Sequence, residues 1–197
     1  MNVVFLLDPG HGLNTAGKRS PDGSLQEAAY VREIASRVSE ALTGFGFTNK
    51  IIVPEVHDVP LAERVRRVNT LVRSNPSTQY FLTSIHVNAA GNGKTWKEAK
   101  GWQVIVSPKA SSYSKEYAEV LADNAVGQGL KLRKQYPNLG YWTQDLYILN
   151  KTLCPAVLTE NLFMDNQEDC NFLLSEEGKE KITRLHVWSV LDFLRYE

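Results

Sequence analysis

The chain has 197 residues, of which 43% are hydrophobic, 10% aromatic and 22% charged. That balance excludes a disordered or low-complexity polypeptide and fits one domain with its own core. Its 22 basic and 22 acidic residues cancel, which excludes the basic footprint of a nucleic-acid binder, and no apolar run approaches the roughly 20 residues that cross a bilayer.

The first apolar run, residues 2–7, reads as a strand and leads straight into Asp8-Pro9-Gly10-His11-Gly12. It is too short for the core of an export signal, and the first lysine is Lys18; the expectation is a chain without such a signal, or a precursor already trimmed. A helix is expected over 25–43, where Ala28, Val31, Ala35, Val38 and Leu42 form one stripe and Gly44 and Gly46 follow. A strand follows over 50–53. A second helix spans 61–73, with Leu61, Val65, Val68 and Val72 on one face. Strands are expected over 80–85 and 101–107, then a helix over 115–127, a short strand over 147–149 and a buried strand over 155–158. Two helices, 167–174 and 177–194, close the chain. Strands alternating with helices predict an α/β fold. The expected architecture is a single domain over 1–197, with a mixed, mostly parallel sheet and helices on both faces. The irregular stretches 12–23, 88–100 and 135–145 are long for a compact domain, and loops of that length tend to carry function. The two cysteines, Cys154 and Cys170, form neither a disulfide framework nor a CxxC metal motif; free thiols are expected, with one bridge as the alternative.

Three apolar runs end in a side chain that binds metal or moves a proton. They are the first strand, ending at His11; the third, ending in Ser84-Ile85-His86-Val87-Asn88; and the 155–158 strand, ending in Thr159-Glu160-Asn161. If those strands run parallel, His11, His86 and Glu160 share the rim where α/β sheets place ligands. A hydrolytic zinc site uses three protein ligands and keeps one position open, and two histidines with a glutamate are a standard set. Glu27, in the first turn of the first helix, is the best third ligand. Each residue also has a plainer reading. Ser24-Leu25-Gln26-Glu27 fits the capping box S-x-x-E, His11 between glycines fits a turn, and His86 and Glu160 fit polar strand ends. His57 reads as solvated and His186 as a helix-surface or packing residue. Gly12 to Arg19 nearly matches the phosphate loop G-x-x-x-x-G-K-[ST]. Arg19 replaces its magnesium-binding hydroxyl, and Pro21, Asp22 and Gly23 interrupt the helix it requires.

The segments Asp8-Pro9-Gly10-His11-Gly12, Ser84-Ile85-His86-Val87-Asn88-Ala89 and Leu158-Thr159-Glu160-Asn161 through Asn166, with a helix-start glutamate between the first two, resemble the zinc-dependent N-acetylmuramoyl-L-alanine amidases of the amidase-3 type. The resemblance covers the whole chain. It implies cleavage of the amide between the lactyl group of N-acetylmuramic acid and L-alanine in peptidoglycan, with zinc as cofactor. It matches His11, Glu27 and His86 to the metal ligands and Glu160 to the catalytic glutamate. Asp8 and Asn88 are candidates for orienting ligand histidines or substrate. Trp96, with nearby lysines, and Trp142 in the 135–145 stretch are candidates for a substrate groove. The resemblance places the enzyme's action at the cell wall, as a secreted, periplasmic or phage-released protein; with no wall-binding segment in this sequence, the expectation is recognition through the catalytic face alone or through a domain outside this sequence. The rival readings are a zinc peptidase or deacetylase acting on another wall bond, and a non-catalytic peptidoglycan-binding module.

Overall fold

The computed structural model describes residues 2–195. In chain order the elements are β1 Asn2–Pro9, α1 Glu27–Gly44, β2 Asn49–Ile51, α2 Leu61–Ser74, β3 Thr78–Asn88 and β4 Gln103–Val106. They continue with α3 Ser112–Gly127, β5 Tyr141–Thr143, α4 Tyr147–Lys151, β6 Ala156–Phe163, α5 Gln167–Leu174 and α6 Glu176–Phe193. The strands form one six-stranded sheet in the order β2-β1-β3-β6-β4-β5. β1 pairs in parallel with both β2 and β3, and β3 in parallel with β6. β4 runs antiparallel to β6 and carries β5 parallel to itself. The sheet is thus mixed and mostly parallel, as the alternation of elements predicts.

Strand periodicity divides the core. Phe5, Leu7, Phe81, Val104 and Val157 face a cluster built with α1, α3, α5 and α6. Leu6, Tyr80, Leu82, Ile105 and Leu158 face a second cluster built with α2 and α4. Successive side chains point to opposite faces, so each strand buries two layers and reads as a continuous apolar run. His86 and Glu160 keep step with Tyr80-Leu82-Ser84 and Ala156-Leu158, so they point to the α2/α4 side; both strands run on past them, β3 to Asn88 and β6 to Phe163, beyond the ends at 85 and 158 expected from the apolar runs.

Two expectations need correction, and the plainer reading of Glu27 fails with them. Residues 147–149 are not a strand: they belong to α4, which buries Ile148 and Leu149. The edge strand is instead β5, three residues inside the stretch expected to be irregular. The capping box does not form. The Ser24 hydroxyl donates to Asp22 Oδ1 at 2.7 Å, and α1 begins two residues later than the pattern suggests, with Gln26 as an N-cap that makes no side-chain bond. Cys154 and Cys170 are free, and no helix among the described residues is long and apolar enough to cross a membrane.

Candidate metal centre

β1 ends at Pro9 and turns sharply. Gly10 and Gly12 are required there by packing: a Cβ on Gly10 would overlap the His86 imidazole, and one on Gly12 would overlap the His57–Asp58 main chain. Between them His11 is left-handed, with φ 56°, a conformation costing a non-glycine residue about 1–2 kcal/mol. The turn brings the His11 ring to 4.9 Å from the His86 ring, at an interplanar angle of 90°.

Glu27 is the first residue of α1 and is fully buried. Its Oε1 accepts the Val87 backbone N–H at 3.1 Å and lies 3.1 Å from His86 Nδ1. Its Oε2 lies 3.5 Å from His11 Nε2 and 4.0 Å from Lys18 Nζ, yet has no hydrogen-bond partner. A buried carboxylate oxygen without a partner is costly and calls for an explanation. One ligand atom each from His11, Glu27 and His86 lie within 4.8 Å of one another, and among the described residues no other trio of His, Cys, Asp or Glu does so. Two imidazole nitrogens and one carboxylate oxygen are a donor set suited to zinc, and a cation there would satisfy Glu27 Oε2. The residues therefore fit a metal.

Glu160 sits opposite His86 across the β3–β6 pairing and lines the same cavity, of about 300 Å³, together with His11, Lys18, Glu27, His86, Asn88 and Gln144. Its Oε2 is also buried without a partner. Just beyond it the register shifts between His86 and Asn88, and Leu162 is left-handed at φ 66°; such a bulge re-aims a strand beside a site. Asn161 stabilises the bend by donating to the His86 carbonyl and accepting from the fully buried Trp102 indole, each at 2.9 Å.

The electrostatics follow from burial. Burial lowers the His11 pKa to about 4, against the opposing charge of Glu27, so its imidazole is neutral and free to ligate near pH 7. Burial opposes the charged form of His86, but the hydrogen bond and charge of Glu27 outweigh it and raise its pKa. Burial likewise opposes ionised Glu27, which His86, His11 and Lys18 nevertheless hold below the ordinary carboxylate value. Burial pushes Glu160 up to about 7, helped by Glu27 and opposed by His86 and Lys18.

None of the remaining candidates hydrogen-bonds the His11 or His86 imidazole. Asp8 is buried and pairs with Arg64 at 2.7 Å and with the Ser84 hydroxyl at 2.6 Å. Asn88 accepts the Ala89 N–H at 2.8 Å and lines the cavity. Trp96 packs partly buried against the core. Trp142 donates its indole N–H to the Arg133 carbonyl at 2.8 Å, and the Arg133 guanidinium lies over its ring. Neither tryptophan lines the cavity. His57 is exposed; His186 is buried, between Thr159 Oγ1 and the Ile182 carbonyl.

The sequence reading missed Asp165, whose carboxylate accepts the Ala90 and Gly91 N–H groups and pins the chain leaving β3. It also missed Lys18, a cation within the cavity. The only sequence signal for either was position, on a long loop or beyond a strand end. A larger cavity of about 740 Å³ opens beside the start of β6, but it is lined by no histidine and by a single carboxylate, Asp145.

The family model described as N-acetylmuramoyl-L-alanine amidase, of the amidase-3 type, matches residues 5–191. The endolysin of Bacillus phage SPP1 is 27% identical over 196 residues, covering 98% of this chain and 67% of the relative. The sporulation-specific N-acetylmuramoyl-L-alanine amidase of Bacillus subtilis (strain 168) is 28% identical over 186 residues, covering 93% and 65%. The chain thus spans about two thirds of the length of these relatives. The solved amidase Ami1 of Mycobacterium smegmatis superposes with a TM-score of 0.84 at 22% identity, covering 100% of this chain and 98% of that one.

Proposed function

Since the chain belongs to the amidase-3 family of N-acetylmuramoyl-L-alanine amidases, we propose that it is a zinc hydrolase cleaving the amide between the lactyl group of N-acetylmuramic acid and L-alanine in peptidoglycan, with residues 1–197 forming one catalytic unit. The observation that carries this reading is the buried, unpartnered Glu27 Oε2 facing two imidazoles, with a second buried carboxylate, Glu160, in the same cavity.

In this reading His11, Glu27 and His86 hold the metal. A bound zinc ion supplies Lewis-acid polarisation of the scissile carbonyl and acidifies a water to near neutrality. Glu160 takes the proton of the attacking water and hands it to the leaving amine. Burial raises the pKa of this carboxyl group, which suits it to pass on the proton it takes up. Glu160 is kept apart from the ligand set because a fourth tight protein ligand would close the position that the reaction needs. Lys18 places a cation beside the anionic groups of a muramyl peptide, and Asn88 and Gln144 offer amides to its peptide bonds. The protein acts at the cell wall, and its substrate is peptidoglycan.

The test is metal analysis of the purified protein combined with mass spectrometry of digested sacculi. Bound zinc, with release of stem peptides bearing amino-terminal L-alanine, is expected. Cleavage at another bond would favour a peptidase or deacetylase. No metal, and no product after zinc addition, would favour a binding module.

A further inference from the structure

The main chain carrying His11 is gripped by two arginines from two different helices. The His11 carbonyl oxygen accepts from Arg32 Nη2 at 2.8 Å and from Arg64 Nη2 at 3.0 Å. Arg32 Nη1 also reaches the Gly10 carbonyl at 3.3 Å, and Arg64 Nη1 the Pro9 carbonyl at 2.7 Å. Three consecutive carbonyls are thus held by guanidiniums from α1 and α2, the last of them at His11, where the backbone is left-handed.

Both arginines are anchored further, through Nε and through the same Nη atoms that reach the turn. Arg32 donates to the Glu55 and Ala28 carbonyls, each at 2.9 Å. Arg64 is buried and donates to the Val59 carbonyl at 2.8 Å, to Asp8 at 2.7 Å and to Asp58 at 3.2 Å. The second oxygen of Asp8 takes the Ser84 hydroxyl, two residues before His86 on β3. The grip therefore ties the turn carrying His11 to the strand carrying His86.

We propose that Arg32 and Arg64 are positioning residues for the metal site: by holding the Pro9, Gly10 and His11 carbonyls they keep His11 left-handed and its imidazole beside Glu27 and His86. The planar fork of arginine suits the task, because one side chain bridges several fixed acceptors; the single ammonium of lysine does not. Charge argues in the opposite direction. Two guanidiniums near a divalent cation repel it, and only Arg64 has carboxylate partners within hydrogen-bond reach. Arginines serving only the fold would therefore leave zinc affinity unchanged or, when removed, tighten it. Arginines that position His11 would weaken it when removed.

The inference rests on the metal reading above, and the test separates the two. The full chain and its Arg32→Met, Arg32→Lys and Arg64→Met variants are titrated with zinc against a chromophoric chelator, with circular dichroism of the metal-free forms recording the fold. A paired Asp8→Asn/Arg64→Met variant removes both charges together in case Arg64→Met alone strands a buried carboxylate. Folded Arg32→Met and paired variants are expected to bind zinc about 10- to 100-fold more weakly, as loss of groups behind a ligand histidine does elsewhere. The cobalt-substituted spectrum should change with them, and Arg32→Lys should not restore affinity. Folded variants binding zinc as tightly as the parent, or tighter, would overturn the positioning role alone. A parent chain that binds no zinc would sink the metal reading and the positioning role with it.

Discussion

Glu27 accepts the Val87 N–H through the same oxygen that faces His86 Nδ1, so the first residue of α1 is fastened to the strand that carries His86. The fastening leaves Oε2 of the same carboxylate 3.5 Å from His11. One side chain thereby joins the ends of β1 and β3, and the roles of the two buried glutamates diverge: Glu27 spans the histidines, while Glu160 stands across from His86.

That divergence gives opposite mutant phenotypes. Glu160→Gln should retain zinc and lose about 10²- to 10⁴-fold in kcat, the range of a lost general base. Glu27→Gln should lose metal first and activity as a consequence. Metal stoichiometry measured beside turnover decides the matter; a metal-free Glu160→Gln protein and a metal-replete Glu27→Gln protein would reverse the assignment.

The pH profile should follow Glu160. A base must be ionised to act, so kcat/KM should rise with pH through its pKa. Burial puts that value at about 7 in the metal-free site, and a neighbouring dication favours the carboxylate. The acid limb is therefore expected below pH 7. The measurement is kcat/KM from pH 4.5 to 8. A limb lying above pH 7, or one unchanged in the residual activity of Glu160→Gln, would argue for another base.

Chelation should abolish activity and leave the fold. Two apolar clusters on the faces of the sheet form the core without the metal ligands. Zinc at about 100 times its Kd should still stabilise the native state by roughly 2.7 kcal/mol, raising Tm by about 5–10 °C for a chain of this size. Thermal scans with chelator and with added zinc check this; collapse of the chelated protein would make the metal structural.

His186 should impose acid sensitivity. Burial drops its pKa from 6.5 to about 4, so the unfolded chain takes up a proton that the folded chain refuses. Stability is therefore full above pH 6.5 and falls as pH drops from 6.5 to about 4, by roughly 3 kcal/mol in total. In the metal-free protein His11 acts in the same direction, so the informative quantity is the difference between the parent and His186→Gln. Denaturant unfolding at pH 7 and pH 4.5 should show a smaller loss in the variant; equal losses would exclude His186 as the source.

Much of this protein was determined by local pattern. The apolar runs of β1, β3 and β6 put His11, His86 and Glu160 where those runs stop, and the helical stripe placed Glu27 in a first turn, because a strand buried on both faces reads as a continuous apolar run and a helix as a 3.6-residue stripe. Pattern did not decide what Glu27 does: Ser24-Leu25-Gln26-Glu27 is equally a cap, and only the fold, by bringing the β3 end close, turned Glu27 toward His86, while Ser24 bonds its near neighbour Asp22. Nor did it decide the short pieces. β5 and α4 are three and five residues long, too short for a period to declare itself, and their state is set by the β4 edge and the α2 face they cover. The arginines that grip the His11 turn lie 21 and 53 residues from it in sequence, and a guanidinium's partner is a matter of distance in space, which no local repeat encodes.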